Sequence, residues 1–175
     1  MRGHNARCER SGLASLDRVN DRSLLTRAFS LAEEAHSEGD HPFGALLAVD
    51  GEIIAEARNR VNQDHDLTAH AETQLVRILE RENLLGMLPL GTVYASCEPC
   101  PMCVGALFWA GARRVVYGLS SDRLGRLAAP PGVGPFGFEI TAAEIGGRCT
   151  PPMMFNGPQR EDEAAEAHLG FWTSN

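Results

Sequence analysis

The chain has 175 residues, of which 43% are hydrophobic and 22% charged, a composition typical of one globular domain. The net charge is −7, and the sixteen basic residues, all Arg, are scattered, which argues against a nucleic-acid partner. No apolar run approaches the roughly 20 residues of a membrane span, and residues 1–20 lack the apolar core of a secretory signal. We therefore expect a cytoplasmic protein with a flexible arm at 1–20 and a single domain over 21–175.

The first predicted elements are a helix and a hairpin. Apolar residues at helical spacing predict a helix over residues 21–36, begun by Asp21 and ended by Gly39. Strands are expected over residues 43–49 and 52–58. The two residues between them, Asp50-Gly51, are a strong signal for a tight hairpin turn.

Helices and strands then alternate along the chain. A helix is predicted from about residue 69 to 81, a strand over 92–96, a helix from 101 to about 110, and a strand over 113–119. This order indicates an α/β domain whose later strands are parallel, because helices separate them. Residues 120–137 are rich in Gly and Pro and are predicted to form a long loop, and residues 161–172 a C-terminal helix.

Two short segments carry the residue types of a catalytic metal site. Cys100 and Cys103 lie three positions apart at the start of a predicted helix, so both sulfurs can point the same way. His70, at the start of the preceding helix, completes a set of three ligands, which leaves a fourth tetrahedral position for water at Zn²⁺. Because two thiolates offset the charge of the ion, a nearby carboxylate is needed to take the water proton, and Glu72 is the candidate.

A closed, purely structural zinc site is the alternative interpretation. Cys97 would then be the fourth ligand, and no position would remain for water. That arrangement leaves Glu72 without a role, so we interpret Cys97 as a small buried residue at a strand end.

The motifs extend beyond the metal site. The pattern His70-Ala71-Glu72 followed by Pro99-Cys100-x-x-Cys103 resembles the signature of the zinc-dependent cytidine and deoxycytidylate deaminase superfamily. Within it, the chain looks most like bacterial guanine deaminase and its cytosine and tRNA-adenosine relatives. The resemblance rests on residues 42–45, 59, 68–72, 96–103, 105–106 and 109–110.

This resemblance implies a three-layer α/β fold, a central mixed sheet of about five strands flanked by helices, a zinc cofactor and a homodimer. It also implies that Asn59 binds the base ring through its amide, that Phe43 lies near the pocket and that the Ala71 backbone faces the substrate. Trp109 is a further candidate for the pocket, and Glu139 is a stand-in for an acidic residue of guanine deaminases. From the residues alone, each of these has a structural alternative. Asn59 could simply end a strand, and Phe43 and Trp109 could belong to the hydrophobic core.

The expected activity is hydrolytic deamination of a nucleobase-type amino-heterocycle with release of ammonia. The conversion of guanine to xanthine is the leading expectation. Cytosine, a nucleoside, a pterin or a triazine are the alternative substrates. A tRNA adenosine deaminase is disfavoured because residues 161–166 are acidic and Lys is absent. A non-catalytic zinc module is disfavoured because Glu72 is present. His41 and His168 are expected at the surface or in capping roles. Phe171 and Trp172 are expected to pack the last helix or to cover the active site.

Overall fold

The computed structural model describes residues 9–130, 132–135 and 137–172, with side chains from residue 21 onward. Helix α1 spans Glu9–Ser37. The predicted helix start at residue 21 is therefore wrong, because the helix already includes residues 9–20. Asp21 does not cap a helix, because its buried carboxylate accepts hydrogen bonds from Tyr94 and Arg114 on the sheet. Residues 1–8 of the arm lie outside the described residues.

The predicted hairpin is confirmed. Strand β1 spans Gly44–Val49 and strand β2 spans Glu52–Arg58, paired antiparallel. The two turn residues, Asp50 and Gly51, have φ angles of 50° and 84°. Positive φ at both positions is what a type I′ turn requires, and this turn matches the twist of the flanking strands.

Three more strands and several helices complete the domain. The strands are β3, Thr92–Cys97; β4, Arg114–Leu119; and β5, Met154–Asn156. The helices are α2, Val61–Asp64; α3, Ala71–Arg81; α4, Pro101–Ala110; α5, Ser121–Ala128; α6, Ala142–Gly147; and α7, Glu161–Glu166, with a short 3₁₀ turn at Leu85–Met87. The sheet order is β2-β1-β3-β4-β5, antiparallel as far as β3 and parallel from β3 to β5. This is the expected mixed five-stranded sheet.

Two apolar cores lie on opposite faces of the sheet. Alternate side chains of each strand point to opposite faces, so that Leu46 packs with α1 and α7 while Leu47 packs with α3 and α4. Both leucines have no exposed surface. The domain therefore has the predicted three layers, helix, sheet and helix. Among the described helices, none is long and apolar enough to cross a bilayer.

Helix α1 lies directly against the start of β1. A Cβ on Gly44 would lie 2.4 Å from the Cβ of Leu31 and 2.5 Å from the carbonyl oxygen of Ala28, so only glycine fits there. The Gly44 amide donates to the buried hydroxyl of Ser96 on β3, at 3.0 Å. These contacts fix the backbone next to Phe43, at one edge of the candidate site.

The C-terminal third differs most from the prediction. Residues 121–128 of the predicted long loop form α5, whose N-cap Ser120 accepts from the Arg123 amide through its side chain. Helix α6 and strand β5 were not predicted. The predicted C-terminal helix ends at Glu166, and turns continue from there to residue 172.

Candidate active site

The three predicted metal ligands lie at the starts of two neighbouring helices. His70 is the N-cap of α3, Cys100 is the N-cap of α4, and Cys103 lies in the first turn of α4. A hydrogen bond from the Arg60 amide to the Ala69 carbonyl, at 2.9 Å, ties the chain after β2 to the approach to His70. Both helices direct the positive ends of their dipoles toward this group, which favours thiolates and carboxylates there.

The distances among the three ligands fit a tetrahedral zinc ion. His70 Nδ1 lies 3.7 Å from Cys100 Sγ and 3.5 Å from Cys103 Sγ, and the two sulfurs are 3.6 Å apart. Zinc bonds of about 2.3 Å to sulfur and about 2.0 Å to nitrogen at tetrahedral angles would separate the sulfurs by about 3.8 Å and nitrogen from sulfur by about 3.5 Å. Among the described residues, this is the one group of histidine, cysteine and acidic side chains with such geometry.

The two cysteines differ in their tendency to ionise. The hydrogen bond between the two sulfurs lowers the pKa of Cys100 to about 4, and the His70 ring contributes to the same shift. That pairing, together with burial, raises the pKa of Cys103. One thiolate is thus available at neutral pH, and binding of a metal ion would displace the proton of the other.

Glu72, two residues beyond His70, lies in the first turn of α3 and is 7% exposed. Burial raises its pKa above the usual range of a glutamate. A carboxyl group with a raised pKa can accept a proton and return it near neutral pH, as a general acid and base must.

His70, Glu72 and Cys100 line a cavity of about 300 Å³. This volume is at the small end of the range for small-molecule sites, roughly 300–1,000 Å³. Its walls are mostly apolar, and its polar lining residues include His70 and Glu72. The other lining residues are His41, Phe43, Cys97, Glu98, Pro99, Pro101, Ser121, Leu124, Ala128, Gly137, Phe138, Ile140 and Trp172.

Of the predicted substrate residues Phe43, Ala71 and Asn59, Phe43 lines the cavity, whereas the other two are not among its lining residues. Ala71 is fully buried as the first residue of α3, next to His70. Asn59 is 1% exposed. Its backbone amide donates to the Phe43 carbonyl at 3.0 Å, and its side-chain Oδ1 accepts from the Val61 backbone amide. Its Nδ2 is buried without a hydrogen-bond partner in the described structure. An unpaired buried donor is costly, and a ligand acceptor would satisfy it.

The structure does not bring Trp109 or Glu139 into this cavity. Trp109 is 86% exposed and contacts the ring of Phe108, at 5.2 Å. It follows Cys103 by six residues, which turns its side chain about 120° away around the helix. Glu139 is exposed and lines an adjoining cavity of about 520 Å³. We therefore no longer assign a substrate contact to either residue.

Several lining residues were missed by sequence reasoning. His41, expected at the surface, is half-buried and lines the cavity beside the predicted Phe43. Phe138 and Ile140 come from the segment after the predicted loop, and Trp172 comes from the C-terminal turns. The sequence allows two roles for the tail, packing on the core or covering the active site. The position of Trp172 in the cavity wall supports the second role. Two sequence features could have identified these residues. His41 is close to Phe43 in sequence, and Trp172 belongs to an aromatic pair in the tail.

His168 is the centre of an aromatic cluster that fastens the tail. Its ring lies 5.2 Å from Phe43 and stacks on Trp172 at 6.1 Å with an interplanar angle of 12°. The Trp172 indole donates to His168 Nδ1, at 3.3 Å. His168 is 3% exposed, not at the surface as expected, and its Nε2 has no hydrogen-bond partner in the described structure. Burial lowers its pKa to about 4.

We expect acid to destabilise the protein through His168. Its folded pKa of about 4 lies below the unfolded value of about 6.5, so the unfolded chain binds the proton first as the pH falls. The stability that the neutral ring contributes is complete above pH ~6.5 and is lost as the pH falls toward 4. Between pH 7 and 5 this loss amounts to about 2 kcal/mol. His168→Phe should therefore lose about 2 kcal/mol less over that interval than the unsubstituted protein, measured by urea unfolding.

The control for this prediction is His65→Asn. His65 lies on an exposed turn with a φ of 50°, a conformation that asparagine tolerates. This variant should keep the pH dependence of the unsubstituted protein. An unchanged pH dependence in His168→Phe would show that His168 does not contribute.

Known proteins match both the sequence and the fold. The family model for the cytidine and deoxycytidylate deaminase zinc-binding region matches residues 18–119, which include the three ligands and Glu72. A probable cytosine deaminase of Schizosaccharomyces pombe is 39% identical over 153 residues, 87% of this chain and 92% of that protein. Guanine deaminase of Bacillus subtilis is 44% identical over 102 residues, 57% of this chain and 64% of that protein.

A solved structure agrees with these matches. The X-ray structure of the Bacillus subtilis guanine deaminase has a TM-score of 0.55 and 34% identity, and covers 69% of this chain and 84% of that chain. The family match spans more than half of the chain and contains the ligand group whose geometry fits zinc. The chain therefore belongs to the cytidine and deoxycytidylate deaminase family and is a zinc-binding hydrolytic deaminase.

Proposed function

We propose that the protein deaminates a free nucleobase, with guanine, converted to xanthine and ammonia, as the first substrate to test. The observation that carries this proposal is the buried Glu72 beside the ligand group in a cavity of about 300 Å³. A cavity of this size with aromatic walls fits a planar ring better than a polynucleotide.

In the proposed reaction, water replaces the exocyclic amine of the ring. Zinc held by His70, Cys100 and Cys103 would act as a Lewis acid that makes water nucleophilic at neutral pH. Glu72 takes one proton from water and gives it to the ring nitrogen beside the attacked carbon. It then moves the second proton of that water, from the new hydroxyl group on the ring, to the departing amine, which leaves as ammonia. The unpaired Nδ2 of Asn59 donates to an acceptor of the ring. Phe43 and Trp172 contact the ring faces.

Guanine comes first because the segment from Cys97 to Cys103 resembles bacterial guanine deaminase and because the Bacillus subtilis enzyme is 44% identical in the matched region. Cytosine is the second candidate, favoured by the match to the probable cytosine deaminase over 92% of that protein. A tRNA substrate is disfavoured by the net charge of −7 and by Trp172, which covers part of the cavity.

The test is ammonia release by the zinc-loaded protein with guanine, cytosine, adenine, guanosine, cytidine, a pterin and a triazine, each beside Glu72→Gln. Turnover of guanine that disappears in the variant would support the proposal. Turnover of another ring alone would replace guanine by that ring and retain the chemistry. Absence of turnover with every ring would contradict the proposed function.

We expect Trp172→Ala to raise the KM for the base by about 10- to 100-fold, because stacking of a base on an aromatic side chain contributes about 1–3 kcal/mol. Leu169→Ala is the matched control, since Leu169 lies in the same tail, is 64% exposed and does not line the cavity. Steady-state kinetics of the two variants would check this. Equal KM values in Trp172→Ala and Leu169→Ala would exclude a substrate contact for Trp172.

We further propose that the enzyme acts in the cytoplasm as a homodimer. Thiolate ligands such as Cys100 and Cys103 are stable in a reducing compartment. Trp109 is 86% exposed on α4, where its ring contacts the half-buried Phe108, and aromatic residues are enriched at protein interfaces. Light scattering of the purified protein would give the mass of the assembly.

A further inference from the structure

Glu98 lies between the sheet and the metal ligands. It follows the last residue of β3, and its amide donates to the carbonyl of Leu119, the last residue of β4, at 2.7 Å. Its side chain is buried, with 7% of the residue exposed. One carboxylate oxygen accepts from the Ser121 amide at 3.0 Å, and the other accepts from the Ala142 amide at 2.9 Å.

Both donors are the first residues of helices. Ser121 begins α5 and Ala142 begins α6, and amides at these positions have no partner within their own helix. A carboxylate there also interacts favourably with the positive end of each helix dipole. Because each oxygen of Glu98 already has a backbone donor, Glu98 is less suited than Glu72 to proton transfer, although it lines the same cavity.

The two helices held by Glu98 bracket one wall of the cavity. Helix α5 contributes Ser121, Leu124 and Ala128 to this wall, and the segment before α6 contributes Phe138 and Ile140. We call these five residues the distal wall. All of them lie beyond the family match, which ends at residue 119.

We infer that Glu98 is a positioning residue that sets the distance between the metal ligands and the distal wall, and hence the fit of the substrate ring. This inference rests on the proposed function of the same cavity. Glu98 would thus influence which ring binds through its hydrogen bonds to the first residues of α5 and α6. The metal group would be unaffected, because the hydrogen bonds of the Glu98 side chain go to α5 and α6, whereas the ligands lie on α3 and α4.

The test is Glu98→Gln, which keeps the size of the side chain. The amide oxygen can still accept from one backbone amide, but the amide nitrogen would meet the other donor, so one attachment is lost. We expect the KM for the base to rise about tenfold, with kcat within about twofold and about one zinc per chain retained. Amide hydrogen exchange should become faster across residues 121–142 and stay unchanged in α3.

The matched control is Glu144→Gln. Glu144 also caps a helix start, because it completes the capping box of α6 with Thr141, but it is exposed and does not line the cavity. Glutamine serves equally well in a capping box, so both KM and hydrogen exchange should match the unsubstituted protein.

Two results would overturn the inference. An unchanged KM in Glu98→Gln would show that the distal wall does not depend on this carboxylate for binding the ring. Loss of zinc, or a fall in kcat at constant KM, would show that Glu98 acts on the metal group instead. The exchange measurement needs no substrate, so slow exchange over 121–142 in the variant also contradicts it. Failure of the proposed function would appear differently, as absence of turnover in the unsubstituted protein.

Discussion

Glu72→Gln is expected to retain about one zinc per chain and to lose turnover by a factor of about 10²–10⁴, the usual contribution of a general acid and base. Glutamine fills the same buried volume at the start of α3 but cannot accept a proton. The metal ligands stay in place because none of them is changed. Steady-state ammonia release and zinc analysis of the same preparation would check both parts of the prediction.

Glu80→Gln is the matched control for this experiment. Glu80 lies on the same helix, α3, but is exposed and outside the cavity. It should keep both zinc and activity. Activity close to normal in Glu72→Gln would contradict the proposed mechanism, because no other acidic side chain of the described cavity has a free carboxylate.

Cys103→Ser is expected to lose most of its zinc and, with it, the activity. Cys103 is fully buried in the first turn of α4, and its sulfur lies 3.5 Å from His70 Nδ1. A serine hydroxyl is a poor ligand for zinc in place of a thiolate. The bound metal stabilises the folded chain by mass action, so the variant should also have a lower Tm. Zinc analysis and thermal unfolding with and without a chelator would measure these effects.

Cys97→Ser separates a catalytic from a closed site. Cys97 is a buried thiol that lines the same cavity, but it does not belong to the metal-binding group in the described structure. The variant should retain about one zinc per chain. Loss of zinc comparable to that in Cys103→Ser would mean that Cys97 is a fourth ligand, with no position left for water.

The ligand group could be predicted because its members are close in sequence as well as in space. His70 and Glu72 share the start of one helix, and Cys100 and Cys103 share the start of another, so helical spacing alone places each pair. The hairpin was equally predictable, because the Asp50-Gly51 turn accommodates positive φ at both positions.

The C-terminal third could not be predicted in the same way. Strand β5 has three residues at the edge of the sheet, too few for an alternating pattern. Helix α5 contains Gly125 and is followed by a segment rich in Gly and Pro, which favoured a loop. Its start is held by Glu98 and Glu161, each remote in sequence. Such tertiary contacts override local preference.

The cavity residues that are far in sequence from the metal ligands were the hardest to predict. His41 and Trp172 are brought together by ring packing at 5.5 Å, across most of the length of the chain. Trp109, in contrast, had an attractive position next to the motif but points away from it. Proximity in sequence to a metal ligand therefore did not predict which aromatic side chains line the cavity.

The cavity is built from two stretches of chain with separate tasks. Residues 41–103 provide the metal ligands, Glu72 and Phe43, whereas residues 121–172 provide the distal wall and Trp172. Exchange of the second stretch alone could alter the preferred ring while the reaction chemistry remains intact. New specificities could then arise in this architecture through changes in the C-terminal stretch, which contributes none of the three metal ligands.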